Sequence, residues 1–65
     1  MKISGQKLIQ TREAAGVTRS DLAVAADLTH ARIWQIETSD FAHVNSNVVK
    51  AMADLIGVVP EELQA

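Results

Sequence analysis

Within this 65-residue chain, one short stretch concentrates side chains able to read a hydrogen-bonding surface: His30, Ala31, Arg32, Trp34 and Gln35. Set on a helix, they share its outer face, while Ile33 and Ile36 turn inward at helical spacing. The Gln35 carboxamide can bond an adenine edge through both of its ends, the His30 imidazole can donate to a guanine acceptor, and the Ala31 methyl can touch that of thymine. Arg32 can reach a base or a phosphate, and both uses stay open. Trp34 is a large ring on an outer face, so something must cover it. It lies either against sugars and methyl groups at a groove edge or beneath the loop that follows.

Such a face is useful only if its neighbours hold it rigidly. Thr18 is a good N-cap, and Asp21, three residues on, can reach back to the amide of the cap. A first short helix therefore starts near Arg19, with Leu22, Ala23 and Ala26 on its apolar side. Asp27 follows where the chain must turn, and Asp tolerates the left-handed backbone that such turns need. Leu28 anchors the turn, and Thr29 caps a second helix from His30 to about Glu37. Two short helices, a tight turn and a polar outer face on the second make a helix-turn-helix, sized to enter a DNA major groove.

The flanks continue the helical pattern. Ser4 can cap a first helix from about Gly5 to Ala15, with Ile3 packing on Leu8 as a hydrophobic staple, Gly16 as the stop and Val17 returning to the core. From Thr38 to Asn47 the period is lost, and Ser, Asp and Asn signal a loop. Asn45 or Asn47 caps the next helix, whose Val48, Val49, Met52, Ala53, Leu55 and Ile56 precede a stop at Gly57. So wide an apolar surface suggests burial on two sides, one of them against a second subunit. Pro60 opens a last short helix holding Glu61, Glu62 and Leu63. The reading is all-α: five short helices in one domain over residues 1–65.

Taken together, these residues resemble the phage repressor and Cro (XRE-type) family of small all-helical, lambda-repressor-like regulators. Leu8, Arg12 and Gly16 sit at the family's first-helix positions, and Leu22, Ala23, Ile33 and Glu37 fall on its helix-turn-helix. Ala53, Ile56, Gly57 and Leu63 fit its fourth and fifth helices, so the resemblance spans roughly residues 4 to 63. It implies that His30, Ala31 and Gln35 occupy base-reading positions, and that Arg12 pairs with Glu37. It also implies a backbone grip at the start of helix two, where Thr18, Arg19 and exposed amides suit a phosphate. Ser39, His43, Asn45, Ser46 and Asn47 are further backbone-contact candidates. Thr38-Ser39-Asp40-Phe41 departs from the family, which carries a Gly and basic residues there. A two-fold dimer is implied as well, with Phe41, Val44, Val58 and Val59 as its contacts and recognition helices about 34 to 36 Å apart. Core filling competes for each of these four.

Bulk properties bound the alternatives. A domain this short buries only about 60% of its unfolded surface, so help from a partner subunit is expected. Aromatics are 3% of residues against 48% hydrophobic, so Ala, Val, Leu, Ile and Met must build the core. There are no cysteines, and His30 and His43 are not at ligand spacing, which argues against a metal site. No serine-centred triad, phosphate loop or cofactor motif is present, and no small-molecule ligand is evident. No apolar run reaches the roughly 18 residues of a membrane span, so a cytoplasmic location is expected. The net charge of −2 counts against non-specific affinity for nucleic acid. Its distribution is more favourable: Asp40, Asp54, Glu61 and Glu62 lie beyond the motif, whereas Lys7, Arg19, His30 and Arg32 lie on helix one or the DNA-facing elements.

The sequence thus points to a non-enzymatic, sequence-specific transcription regulator, binding a near-palindromic operator as a homodimer. Two other readings stay open: an antitoxin or restriction-modification controller with the same DNA-binding mode, and a protein-interaction module reusing the fold.

Overall fold

A computed structural model describes all residues from Met1 to Ala65. Four α-helices form its framework: α1 (Gly5–Ala14), α2 (Arg19–Ala26), α3 (His30–Glu37) and α4 (Ser46–Ile56). Each starts where a side chain satisfies an otherwise orphaned amide, a contact worth about 1 kcal/mol per helix. Ser4 Oγ accepts from the Lys7 amide at 3.2 Å, Thr29 Oγ1 from the Arg32 amide at 3.1 Å, and Asn45 Oδ1 from the Asn47 amide at 2.8 Å. The cap of α2 is reciprocal. Thr18 Oγ1 accepts from the Asp21 amide at 3.0 Å while Asp21 Oδ2 accepts from the Thr18 amide at 3.2 Å. Asp27 ends α2 in the left-handed region at φ 55°, and Gly57 ends α4 at φ 90°.

The core is aliphatic throughout. Leu8 from α1, Leu22, Ala23 and Ala26 from α2, Ile33 and Ile36 from α3, and Val49, Met52, Ala53 and Ile56 from α4 pack into one buried cluster. Leu28 packs against it from the turn between α2 and α3. The inward residues of α3 are thereby locked between neighbouring helices, which fixes the direction of its outer face.

The structure adds detail that residue patterns did not carry. The last helical element, Pro60–Leu63, is a 3₁₀ helix rather than a fifth α-helix. Two very short strands, β1 (Lys2–Ile3) and β2 (Ala42–His43), pair antiparallel with Lys2 opposite His43 and Ile3 opposite Ala42. Ile3 also bridges Gln64, so β1 lies between the segment after α3 and the C-terminal residues. Ile3 is fully buried in the same cluster as Leu8. The helix α1 ends at Ala14 with Ala15 as its cap, one residue earlier than expected.

Two apolar residues that the sequence reading left open are separated by the structure. Val44, expected at a dimer contact, is only 6% exposed and belongs to the core, because the strand pairing of β2 with β1 turns it inward. Leu55, expected within the apolar side of α4, is 42% exposed.

The N-terminus of α1 also meets the C-terminal end of α3 closely. A Cβ built on Gly5 would stand 2.7 Å from the Glu37 carbonyl oxygen and nearer still to those of Ile36 and Ser39. Only glycine fits there, and the contact fixes how α1 seats against the end of α3.

Candidate nucleic-acid interface

The helix α3 presents His30, Ala31, Trp34 and Gln35 outward, all exposed, with Arg32 half-buried beside them. Trp34 is 55% exposed, so its ring does not lie beneath the following loop. Alongside sits the start of α2. Its capping box occupies the Thr18 and Asp21 amides and leaves those of Arg19 and Ser20 without an intramolecular partner. A shallow hollow there is bordered by Arg12, Thr18, Arg19, Ser20 and His30, with the Glu13 carboxylate also on its rim, so the first residue of α3 borders the donor-rich end of α2. Unpaired amides, a positive helix end and a guanidinium make that hollow suited to a phosphate oxygen.

Beneath it lies a three-residue charge network. Arg12 Nε donates to Glu37 Oε2 at 2.6 Å and Nη2 to Oε1 at 3.3 Å, while Nη1 donates to the Val17 carbonyl at 3.0 Å. Arg19 Nε donates to Glu37 Oε1 at 2.7 Å. The Glu37 side chain is wholly buried between two cations, whereas that of Arg19 is 38% exposed. Such a carboxylate must be paired, because an isolated buried charge is prohibitively costly. The second arginine was not foreseen from the sequence. Arg19 thus enters the interface already oriented by the protein interior, with its two Nη groups in no internal hydrogen bond.

Several candidates are engaged differently from their sequence reading. Arg32 Nη1 donates to Gln35 Oε1 at 3.0 Å, and Nη2 to the His43 carbonyl at 3.4 Å, so this guanidinium is bound to its own protein rather than projecting outward. The i,i+3 spacing of Arg32 and Gln35 was the available sequence signal for that contact. Ser39 Oγ donates to the Gln35 carbonyl at 2.7 Å. Its hydroxyl proton is therefore committed, and Ser39 leaves the set of phosphate donors. Asn45 serves α4 as its cap, while Ser46 and Asn47 are exposed at that helix's start and His43 is exposed on β2. Phe41 is half-exposed, with Lys2 Nζ 4.0 Å above its ring and His43 edge-on at 5.9 Å. Val58 packs against the core, whereas Val59 is exposed.

The whole arrangement is that of two short helices joined by a left-handed turn, the second held by the first and displayed to solvent. A family profile described as a helix-turn-helix domain matches residues 5–65. The chain belongs to the helix-turn-helix domain family. Solved structures agree with this helix-turn-helix domain in fold. The restriction-modification controller protein C.AhdI from Aeromonas hydrophila superposes with a TM-score of 0.76 at 24% identity, over 89% of this chain and 86% of that one. SinR, a master regulator for biofilm formation whose structure was determined in complex with DNA, gives a TM-score of 0.76 at 21% identity, over 88% of this chain and 90% of that one. No curated protein matches the chain. No helix of the domain is long and apolar enough to cross a membrane.

Proposed function

We propose that this helix-turn-helix domain is a sequence-specific DNA-binding transcription regulator of the Cro and repressor kind, with α3 as the helix that enters the major groove. One observation carries the reading: a row of exposed polar side chains on α3 stands directly beside a helix start with unpaired amides and a pre-oriented arginine. The first element supplies base contacts and the second supplies register on the phosphate backbone, the two kinds of contact that specific recognition combines. His30, Ala31 and Gln35 are the base-reading residues, Trp34 lies along the groove edge, and Thr18, Arg19 and the Ser20 amide hold a phosphate. His43, Ser46 and Asn47 supply weaker backbone contacts.

The regulator acts as a homodimer on a near-palindromic operator, in the compartment that holds the DNA. Phe41, Val58 and Val59 are its dimer contacts, joined by Leu55, an exposed leucine on α4 four positions before Val59. Its action requires only occupancy of DNA, without catalysis or a cofactor. That SinR was determined in complex with DNA, and that C.AhdI is a controller protein, support a regulatory use of the fold.

Selection from random duplexes tests the proposal. The regulator reading expects an enriched motif with dyad symmetry, whose half-sites lie about 10 base pairs apart or a multiple of that. Failure to enrich any motif would leave a protein-interaction module as the surviving alternative.

A further inference from the structure

Residues two positions apart on an α-helix are separated by about 200° around its axis, so their side chains leave on opposite flanks. His30 and Arg32 stand in that relation on α3. His30 borders the hollow at the start of α2, beside Arg19. Arg32 reaches the other way, and its Nη2 donates to the His43 backbone carbonyl of β2 at 3.4 Å. The start of α2 and the ribbon of β1 and β2 therefore flank α3 on opposite sides, with exposed Ala31 between them.

The ribbon carries a cationic cluster of its own. Lys2 is opposite His43 in the register, so their side chains share one face, and Phe41, two residues before His43, adds its ring there. The imidazole meets that ring edge-on at 5.9 Å, and Lys2 Nζ stands 4.0 Å from its centroid. All three residues are exposed. Neither Lys2 nor Arg32 is neutralised by a carboxylate, because both ion pairs in the chain belong to Glu37. Asp40, next to Phe41 in sequence, lines a separate hollow with Gln6 and Gln10 of α1. An ammonium seated on an aromatic face is restrained, yet it keeps its hydrogens for a further acceptor.

We infer that Lys2, seated on Phe41 beside His43, holds a phosphate of the DNA strand opposite the one gripped at Arg19. The inference rests on the proposed entry of α3 into the major groove and deepens it by naming a contact on the second backbone. A helix with its side chains is about 10–12 Å across and the major groove about 12 Å wide, so the helix fills the groove from one phosphate row to the other. Each flank of α3 then faces a backbone. One flank presents Arg19 and unpaired amides. The other presents Lys2, with Arg32 adding charge where the ribbon meets α3. Positive charge without acidic partners, continuous with the reading face, suits a row of phosphates. The segment from Thr38 to Phe41 has no basic residue of its own, and the strand pairing brings one to it from position 2.

A phosphate contact is independent of sequence, so a short duplex of random sequence serves as the probe, with affinity followed by fluorescence anisotropy across salt concentrations. Lys2→Gln should lower the magnitude of the slope of log affinity against log salt by about 0.9. A fourfold rise in salt should then cost this variant roughly threefold less affinity than it costs the wild-type chain. Lys2→Arg should keep the wild-type slope. Lys2→Gln combined with Arg19→Ala should lose about twice the slope of either change alone, as two separate phosphates require. An unchanged slope in Lys2→Gln, even with weaker binding, would overturn the inference and leave the proposed function standing, and so would a double variant no different from Arg19→Ala. A wild-type chain without affinity for duplex at low salt would overturn the proposed function, and this inference with it. In the wild-type chain, the side-chain NMR resonances of Lys2 and His43 should shift as duplex is added. Resonances that stay in place while those of α3 move would overturn the contact at Lys2.

Discussion

Arg12 and Glu37 are 25 positions apart in the chain, and their side chains meet in the interior through two hydrogen bonds, the shorter of them 2.6 Å. Glu37 ends α3, the helix that carries the exposed polar face, and Arg12 lies near the end of α1. The pair therefore sets the angle between these helices. Arg12→Ala would leave Glu37 buried with only the half-exposed Arg19 to balance it, a loss of about 3 kcal/mol or more. For a domain of this size the melting midpoint should fall by more than about 12 °C. Replacing both residues together, as Arg12→Met with Glu37→Met, should recover part of that loss, since the buried carboxylate is gone and the charge left behind, Arg19, is 38% exposed to water. Thermal unfolding followed by circular dichroism compares the three proteins.

Gly5 offers a prediction of unusual sign. Gly→Ala in a helix ordinarily stabilises by up to about 1 kcal/mol. Here the added methyl would run into the carbonyl oxygens of Ile36, Glu37 and Ser39, backbone atoms that cannot swing away. Gly5→Ala should instead destabilise by roughly 1–3 kcal/mol, the usual range for forced overpacking. A lower urea midpoint shows it, and a raised one would mean that α1 is not seated as described.

Arg19 has two tasks that can be separated by measurement. Its Nε holds Glu37, and its Nη groups border the hollow at the start of α2. Arg19→Ala should weaken DNA binding about equally on all sequences and lower the salt slope by about 1, as expected for a phosphate contact. Its stability cost should be smaller than that of Arg12→Ala, because the partly exposed guanidinium is screened by water. Fluorescence anisotropy titrations over a range of salt concentrations, on operator and on scrambled duplex, provide the comparison.

Leu55 and Val59 test the dimer. Both are exposed aliphatic side chains, at 42% and 57%. Placing a charge at either position, as Leu55→Asp or Val59→Asp, should leave the fold intact and shift sedimentation toward monomer. Binding to a full palindrome should then fall toward the affinity for a single half-site. A wild-type chain that sediments as a monomer at all concentrations, and binds full and half-sites alike, would remove the dimer from the proposal.

What the sequence disclosed was local. Thr18 with Asp21, Thr29, Asn45 and Gly57 mark helix ends through bonds that span two to four residues, and such signals need no tertiary information. The outward direction of His30, Ala31, Trp34 and Gln35 was legible for the same reason, as the complement of Ile33 and Ile36 on a 3.6-residue period. Strands β1 and β2 were not legible, because two residues are too few to show alternation. Without that pairing Val44 stayed open between dimer contact and core, and the apolar residues of α4, Leu55 among them, could not be divided between the core and a second subunit. Residue type alone does not say which apolar side chain the folded chain leaves uncovered. Nor does it say which acceptor an arginine will choose: Arg19 and Arg32 both turned to partners inside the protein, and in the case of Glu37 that partner is 18 positions away.

The placement of β1 has a consequence for how the domain comes apart. Met1 and Val44 exchange backbone hydrogen bonds at 2.7 and 2.8 Å, the Ser4 amide donates to the Leu63 carbonyl at 2.8 Å, and the Ala65 amide to the Lys2 carbonyl at 3.0 Å. The opening residues thus act as a clasp that closes the molecule into a ring, with the stretch leaving α3 on one side and the final residues on the other. The segments it joins are made to open together. Loosening the first three residues would release the anchor that Arg32 uses at His43, so a disturbance far from the exposed face would be felt at Gln35.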